Sequence, residues 1–425
     1  MTECRVEQRD FRGWNAAYLK NDLITLVAVP DIGGRIMGYD LGSYSYLYVD
    51  RSLAGKLFSA AENQGDGNLA AWKNYGGDKT WPSPQGWENA DQWAGPPDPI
   101  LDTGRYDLVT LHSNGRTASL KMLSPTGSPT GVQITRQATI YSDSSRVTLD
   151  LAFRNISQRK IRWGIWDVVQ LKAERVSSDG KLAPETHCVV TAPINPHSKF
   201  AEGYYVMFGD PHNPQWHSDK GTGLFIGEYQ WEIGKVGLDS RAGWAAFANT
   251  TANQAFAARY TPYPDQEYPD DGAGVEFWTV GRGQVANLDY ENSDIYLMEV
   301  EILSPFQHIE PGQTASFRIE WGACRCPGPI VDVTEGGCAS RSLHARRDEN
   351  TVHLTGAFGV FDRGQLKLEW RGRAGDVLQS LDVGAVTPLE PVLLDHTYPV
   401  PAEASEIQLV VDTAGTRRLL ANARL

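Results

Sequence analysis

The sequence predicts an all-β protein in two parts. Short segments with alternating apolar and polar residues recur, each bounded by Gly, Asn, Ser or Pro. Gly 42, Tyr 17 and Trp 13 are high counts, and long Leu/Ala/Glu/Lys helical patterns are missing. At 425 residues, 41% apolar and 21% charged, the chain has the composition of a folded soluble protein with an ample core.

The strands follow in order. Residues 22–48 read as DLITLVAVP, GGRIMGYDLG and SYSYLYV, with Gly33-Gly34 as a tight turn between the first two. A short helix is expected near 53–62. Residues 74–87, NYGGDKTWPSPQGW, are expected to be a loop, because paired glycines and spaced prolines break both periodicities. Alternation continues through 108–111, 117–123, 131–141, 146–155 and 161–171. Residues 200–219 are irregular and rich in Tyr, His, Asn, Pro and Trp, as binding loops often are. Strands resume at 223–232, 243–249, 255–260, 274–280, 295–302 and 314–321. The spacing suggests one large antiparallel sandwich.

A boundary falls at Cys326-Pro327-Gly328-Pro329, dividing the chain into 1–327 and 328–425. Beyond it the aromatic density drops. Short strands at 351–360, 365–370, 391–394 and 406–412 then suggest an immunoglobulin-like or fibronectin-like sandwich.

A net charge of −13 repels phosphate backbones and anionic membranes, so neither nucleic acid nor membrane is an expected partner. No run is long enough to span a bilayer. The start, MTECRVEQRDFRGW, has no apolar segment after its charges. The expected location is therefore cytoplasmic, or secreted or periplasmic had a leader been trimmed. Five cysteines at 4, 188, 324, 326 and 338 are odd in number and loosely spaced, which suits reduced structural thiols and implies no metal site. No cofactor is expected: no phosphate-cradling loop, dinucleotide fingerprint, nucleophile elbow or Ser-His-Asp order is present.

The expected ligand is a carbohydrate. In residues 74–87, Trp81 and Trp87 offer flat rings for the C–H face of a sugar, and Asp78, Lys79 and Gln85 offer hydrogen bonds for hydroxyls. In 295–302, period two puts Tyr296, Met298, Val300 and Ile302 on the core face and Ile295, Leu297, Glu299 and Glu301 on the other. Carboxylates at i and i+2 lie ~7 Å apart and resist joint ionisation. One should rise in pKa and the other stay ionised, the pairing that acid–base chemistry needs. In 162–171, Arg162, Gly164, Trp166, Val168 and Gln170 share one face. Trp166 is then a stacking platform and Gln170 a hydroxyl ligand, while Asp167 faces inward as a structural group. Lys235, flanked by strand residues, reaches the cleft. His217 is a candidate acid because histidine titrates near neutrality. Lys79 could hold a carboxylate, and a uronic acid would fit it. Arg35 is read as structural, and Asp270-Asp271 as solvated turn acids.

AVPDIGGRIMGYDL with YLYV, FRNISQRKIRWGIWDVVQL and YLMEVEILSPFQHIEPGQTASFRIEW together resemble galactose-mutarotase-like domains over residues 22–321. GGDKTWPSPQGW, IGKVGLDSRAGW, YPDDGAGVEF and YLMEVEILSP are most similar, within that superfamily, to a bacterial family known only as a domain of unknown function. The resemblance implies a twisted β-supersandwich with a sugar-sized cleft. It puts Glu299 at the place of the base that takes the anomeric proton. It puts Trp166 where those enzymes carry the histidine that protonates the ring oxygen, a transfer Trp cannot make. Their other histidine has no counterpart in residues 74–87. Two functions are expected: an epimerase-, hydrolase- or lyase-type enzyme with Glu299 as base and His217, Lys79 or Glu301 as acid, or a non-catalytic sugar-binding protein using Trp81, Trp87 and Trp166. In either, Asp78, Gln170, Lys235 and Glu301 complete the binding set.

Overall fold

In a computed structural model, which describes residues 3–64, 72–86, 93–94, 98–285, 288–291, 293–413 and 416–425, the alternating segments form strands of two large antiparallel sheets. Among the described residues the first sheet has twelve strands and the second ten. Period-two alternation gives each sheet an apolar inner face. Val169, Val300, Val236 and Phe277 of the first sheet meet Phe247, Phe256, Leu149 and Trp321 of the second in one buried core. The chain is all-β, as its composition and patterning predict, and a supersandwich, as the family resemblance implies.

The order of the first sheet decides what meets what. Its centre runs Arg35–Leu41, Asp78–Ser83, Ile161–Lys172, Leu297–Leu303, Val275–Thr279, Gly234–Leu238 and Tyr205–Gly209. Ile161–Lys172 and Leu297–Leu303, far apart in the chain, thus become neighbours.

Three local readings need correction. The stretch 74–87 is not a loop: Asp78–Ser83 is a buried strand in that sheet. Gly76 and Gly77 do make the turn into it, at φ 93° and 73°. A Cβ on Gly76 would lie 2.3 Å from Tyr48 O, and one on Gly77 2.5 Å from Ile36 O, so only glycine fits. The first neighbour pairs only at Ile36–Asp78, so Pro82, opposite Ile165, breaks no second ladder. Residues 200–219 hold two strands, Tyr205–Gly209 and Trp216–Asp219. An N-terminal hairpin, Arg5–Phe11 with Trp14–Lys20, precedes the first expected strand. Near 53–62 the chain forms a 3-10 turn, Arg51–Leu53, and a short helix, Ala60–Gln64.

From Asp332 onward, two four-stranded antiparallel sheets enclose a separate core around Phe358, Leu368, Trp370 and Leu409. This small sandwich sits on the outer face of the ten-stranded sheet. There Ala246, Ala248, Ala255 and Ala257 pack against Ile330, Val333, Cys338 and Phe361. Small side chains allow the close approach: a Cβ on Gly322 would lie 2.6 Å from the Phe361 ring. Arg146, itself buried, ties the parts together by donating to Asp362. All five cysteines are free and buried, and no group of three or more His, Cys, Asp or Glu among the described residues could hold a metal ion. Burial pushes the Cys326 thiol up to about 12.

Candidate functional site

The outer face of the twelve-stranded sheet carries the polar residues that alternate with its core. Register fixes their neighbours: Gln170 lies opposite Glu299, Val168 opposite Glu301 and Lys79, and Trp166 opposite Trp81. On the far side Trp278 faces Glu299 and Glu276 faces Glu301, and Lys235 faces Trp278. Five strands thereby bring Lys79, Trp81, Trp166, Gln170, Lys235, Trp278 and Glu299 around a hollow of about 60 Å³. Trp72, Tyr290 and Phe208 complete its walls.

Glu299 is the carboxylate that lines this hollow. Its Oε1 accepts from Gln170 Nε2 at 2.5 Å and pairs with Lys79 Nζ at 3.3 Å. Burial acts to raise its pKa, but Lys79 and Gln170 outweigh it and hold the carboxyl below its ordinary value. Glu301 lies beneath. Its Oε2 accepts from Trp166 Nε1 at 2.8 Å and pairs with Lys235 Nζ at 2.9 Å. Burial pushes Glu301 up to about 7, against Lys235 and with the help of Glu299. The two carboxyls thus differ in the way their i, i+2 spacing predicts. Lys235 also pairs with buried Glu276 at 2.7 Å. Burial would lower its pKa, but these two carboxylates more than offset that, so Lys235 stays a fixed cation. Burial lowers Lys79, with Glu299 opposing.

The tryptophans are arranged differently from a bare stacking platform. Trp81 and Trp166 meet edge-to-face at 5.6 Å and are 4% and 5% exposed. Lys79 Nζ lies 4.6 Å from the Trp81 ring centre, and Lys235 Nζ 4.5 Å from that of Trp166. One face of each ring is therefore already covered by an ammonium. The half-buried aromatic surface belongs to Trp72, Trp278, Phe208 and Tyr290. Asp102 positions Trp72, accepting from its Nε1 at 2.8 Å, and it accepts from Asn63 at 3.0 Å and from buried Arg35.

Of the residues singled out in the sequence, Glu299, Lys79, Trp81, Trp166, Gln170 and Lys235 converge on the hollow, and Glu301 sits under its floor. Two do not converge. Asp78 points the other way, into the space between the sheets, where it accepts from Arg136. It shares that buried site with Asp167, whose pKa burial and then Asp78 drive far up. Strand alternation sends Asp78 and Lys79 to opposite faces. His217 is exposed on Trp216–Asp219, the edge strand of the other sheet, and does not line the hollow. Trp87 lies outside the described residues. Both hollow lysines are engaged by carboxylates, so neither is spare for a uronate.

Sequence reading missed Trp72, Trp278, Glu276, Tyr290 and Phe208. Trp278 and Glu276 were within reach: VEFWT and LMEVEIL both alternate, and antiparallel pairing of 274–280 with 295–302 aligns their polar faces. Tyr290 and Trp72 come from irregular segments with no periodic signal.

A family model described as Domain of unknown function (DUF4380) matches residues 15–324. No curated protein matches the chain in sequence. Among solved structures, a galactose mutarotase-like protein from Clostridium acetobutylicum is similar at 10% identity and a TM-score of 0.46, covering 76% of this chain and 99% of that one. Another, from Lactobacillus casei, is similar at 9% identity and a TM-score of 0.43, covering 72% of this chain and 99% of that one.

Proposed function

The chain belongs to the DUF4380 family, and from that premise we propose that it binds a neutral sugar ring in the hollow and acts on it by proton transfer, with Glu299 as general base. One observation carries the reading: a single ionised carboxylate, flanked by two ammonium groups, faces a narrow space walled by aromatic rings. Aromatic walls suit the C–H face of a pyranose. The ionised carboxylate suits removal of a hydroxyl proton. When Glu299 takes that proton, its pair with Lys79 loses its charge and the ammonium is released toward the substrate. Burial weakens Lys79's hold on its own proton, so it can return one. Lys235, held by two carboxylates, stabilises negative charge without giving up a proton. Mutarotation and glycoside cleavage both use these elements.

A non-catalytic sugar-binding role is the second reading, favoured by the completeness of the ion pairs. Occupation of Trp81 and Trp166 by lysines counts against it, since binding by stacking needs open ring faces. Glu299→Gln separates the two. On the enzyme reading it keeps sugar affinity and lowers turnover by about 10²–10⁴-fold in a screen of mutarotation and chromogenic glycoside cleavage. Unchanged turnover would remove Glu299 from the mechanism.

A further inference from the structure

The hollow does not stand alone. Gln85 and Phe208 line it and also line a cleft of about 1010 Å³ beside it. The two spaces differ in scale. At 10–15 Å³ per water, the hollow holds roughly four to six water molecules, so one ring at most enters it. The cleft is at the upper end of what a drug-sized ligand fills. From this continuity we propose that the ligand is a glycan of two or more units, one ring seated in the hollow and the rest running past Phe208 along the cleft. The inference rests on the proposed sugar site and names its substrate class.

The cleft's lining fits a neutral chain. It presents three Lys and Arg side chains against four carboxylates, and these largely satisfy one another. Arg162 pairs with Glu267 at 2.7 Å and Lys199 with Asp271 at 3.7 Å. A polyanion would find no cationic surplus there. The Arg162 guanidinium lies over the Phe306 ring, 3.4 Å from its centre, and sets hydrogen-bond donors on the cleft wall. The half-buried Tyr205 ring forms another part of the wall and is stacked on Phe200 at 4.5 Å. Planar groups beside exposed Gln266, Glu267 and Asp271 offer what a sugar chain needs: flat faces and hydroxyl partners.

The test is calorimetric titration of the full chain with glucose, galactose and mannose and with their β-1,4-linked di-, tri- and tetrasaccharides. The expected result is that one sugar series binds, and that its disaccharide binds about tenfold tighter than its monosaccharide. Arg162→Ala and Phe306→Ala, both outside the hollow, should abolish that gain and leave monosaccharide affinity unchanged. Equal affinity for monosaccharide and oligomers overturns the inference while the sugar site stands. Loss of monosaccharide and oligomer binding together in both cleft variants also overturns it. Absence of binding by every member overturns both, and circular dichroism on each variant separates lost binding from lost folding.

Discussion

Replacing Lys235 with methionine tests the charge arrangement under the hollow. The ammonium lies 2.7 Å from Glu276 and 2.9 Å from Glu301, and both carboxyls are essentially inaccessible, at 1% and 0% exposure. Methionine keeps most of the side chain's length but leaves two buried carboxyls with no counter-charge. Breaking a buried pair from one side costs about 3–5 kcal/mol. Because Glu301 is raised to about 7, this carboxyl largely holds its proton at pH 6, and burial raises Glu276 in the same direction. The loss there should sit at the low end, about 3 kcal/mol. Its pH dependence has a definite sign. A carboxyl raised in the folded state lowers stability as pH climbs from its unfolded value toward its folded one. In the natural protein Glu301 has finished this decline shortly above pH 7. In Lys235→Met its folded pKa moves higher and the decline continues. With a natural pKa of about 7, the gap between the two proteins should widen by about 1.4 kcal/mol between pH 6 and pH 8. Urea unfolding followed by tryptophan fluorescence at the two pH values measures this, urea being uncharged. A loss below about 1 kcal/mol at both values, or a gap that narrows with pH, refutes the reasoning. Adding Glu301→Gln to Lys235→Met should remove Glu301's share of the widening.

Three further outcomes are expected. Asp102→Ala strips buried Arg35 of its partner and Trp72 of its hydrogen bond. It should cost about 3–5 kcal/mol in urea unfolding and weaken sugar binding; unchanged affinity would show that Trp72 needs no such anchor. Gly322→Leu drives a side chain into Phe361 and should destabilise by about 1–3 kcal/mol, whereas an unaltered unfolding midpoint would mean that the contact between the parts is loose. If Lys79 supplies the returning proton, turnover should fall on the alkaline side with an apparent pKa below the ordinary lysine value of 10.5; Glu299, held low, stays ionised at neutral pH. A pH–rate profile checks this, and a flat alkaline limb would exclude Lys79.

The fold was legible because alternation is local. Segments such as 117–123 and 147–155 carry their burial pattern within seven to nine residues, and no partner is needed to read it. The face on which Glu299, Glu301, Trp166 and Gln170 project was legible for the same reason. What failed depends on partners. Residues 78–83 look like a loop by their glycines and prolines, and become a strand because Ile161–Lys172 offers a ladder. The sense in which Asp78 and Lys79 diverge then reversed the expectation for Asp78. His217 looked like a proton donor by residue type alone, and type says nothing about which sheet a segment joins. Trp72 and Tyr290 arrive through irregular backbone, where sequence has no period to follow.

The alanine-faced junction between the two parts has a practical consequence. Alanines at 246, 248, 255 and 257 with Gly322 make an apolar plane that the smaller body approaches closely. Shorn of residues beyond 329, the larger body would bare this greasy plane to water and be recovered as clumped material. The plane lies on the opposite side of the molecule from Glu299. Activity lost on truncation would therefore report a collapsed scaffold, with the residues of the hollow never having been touched.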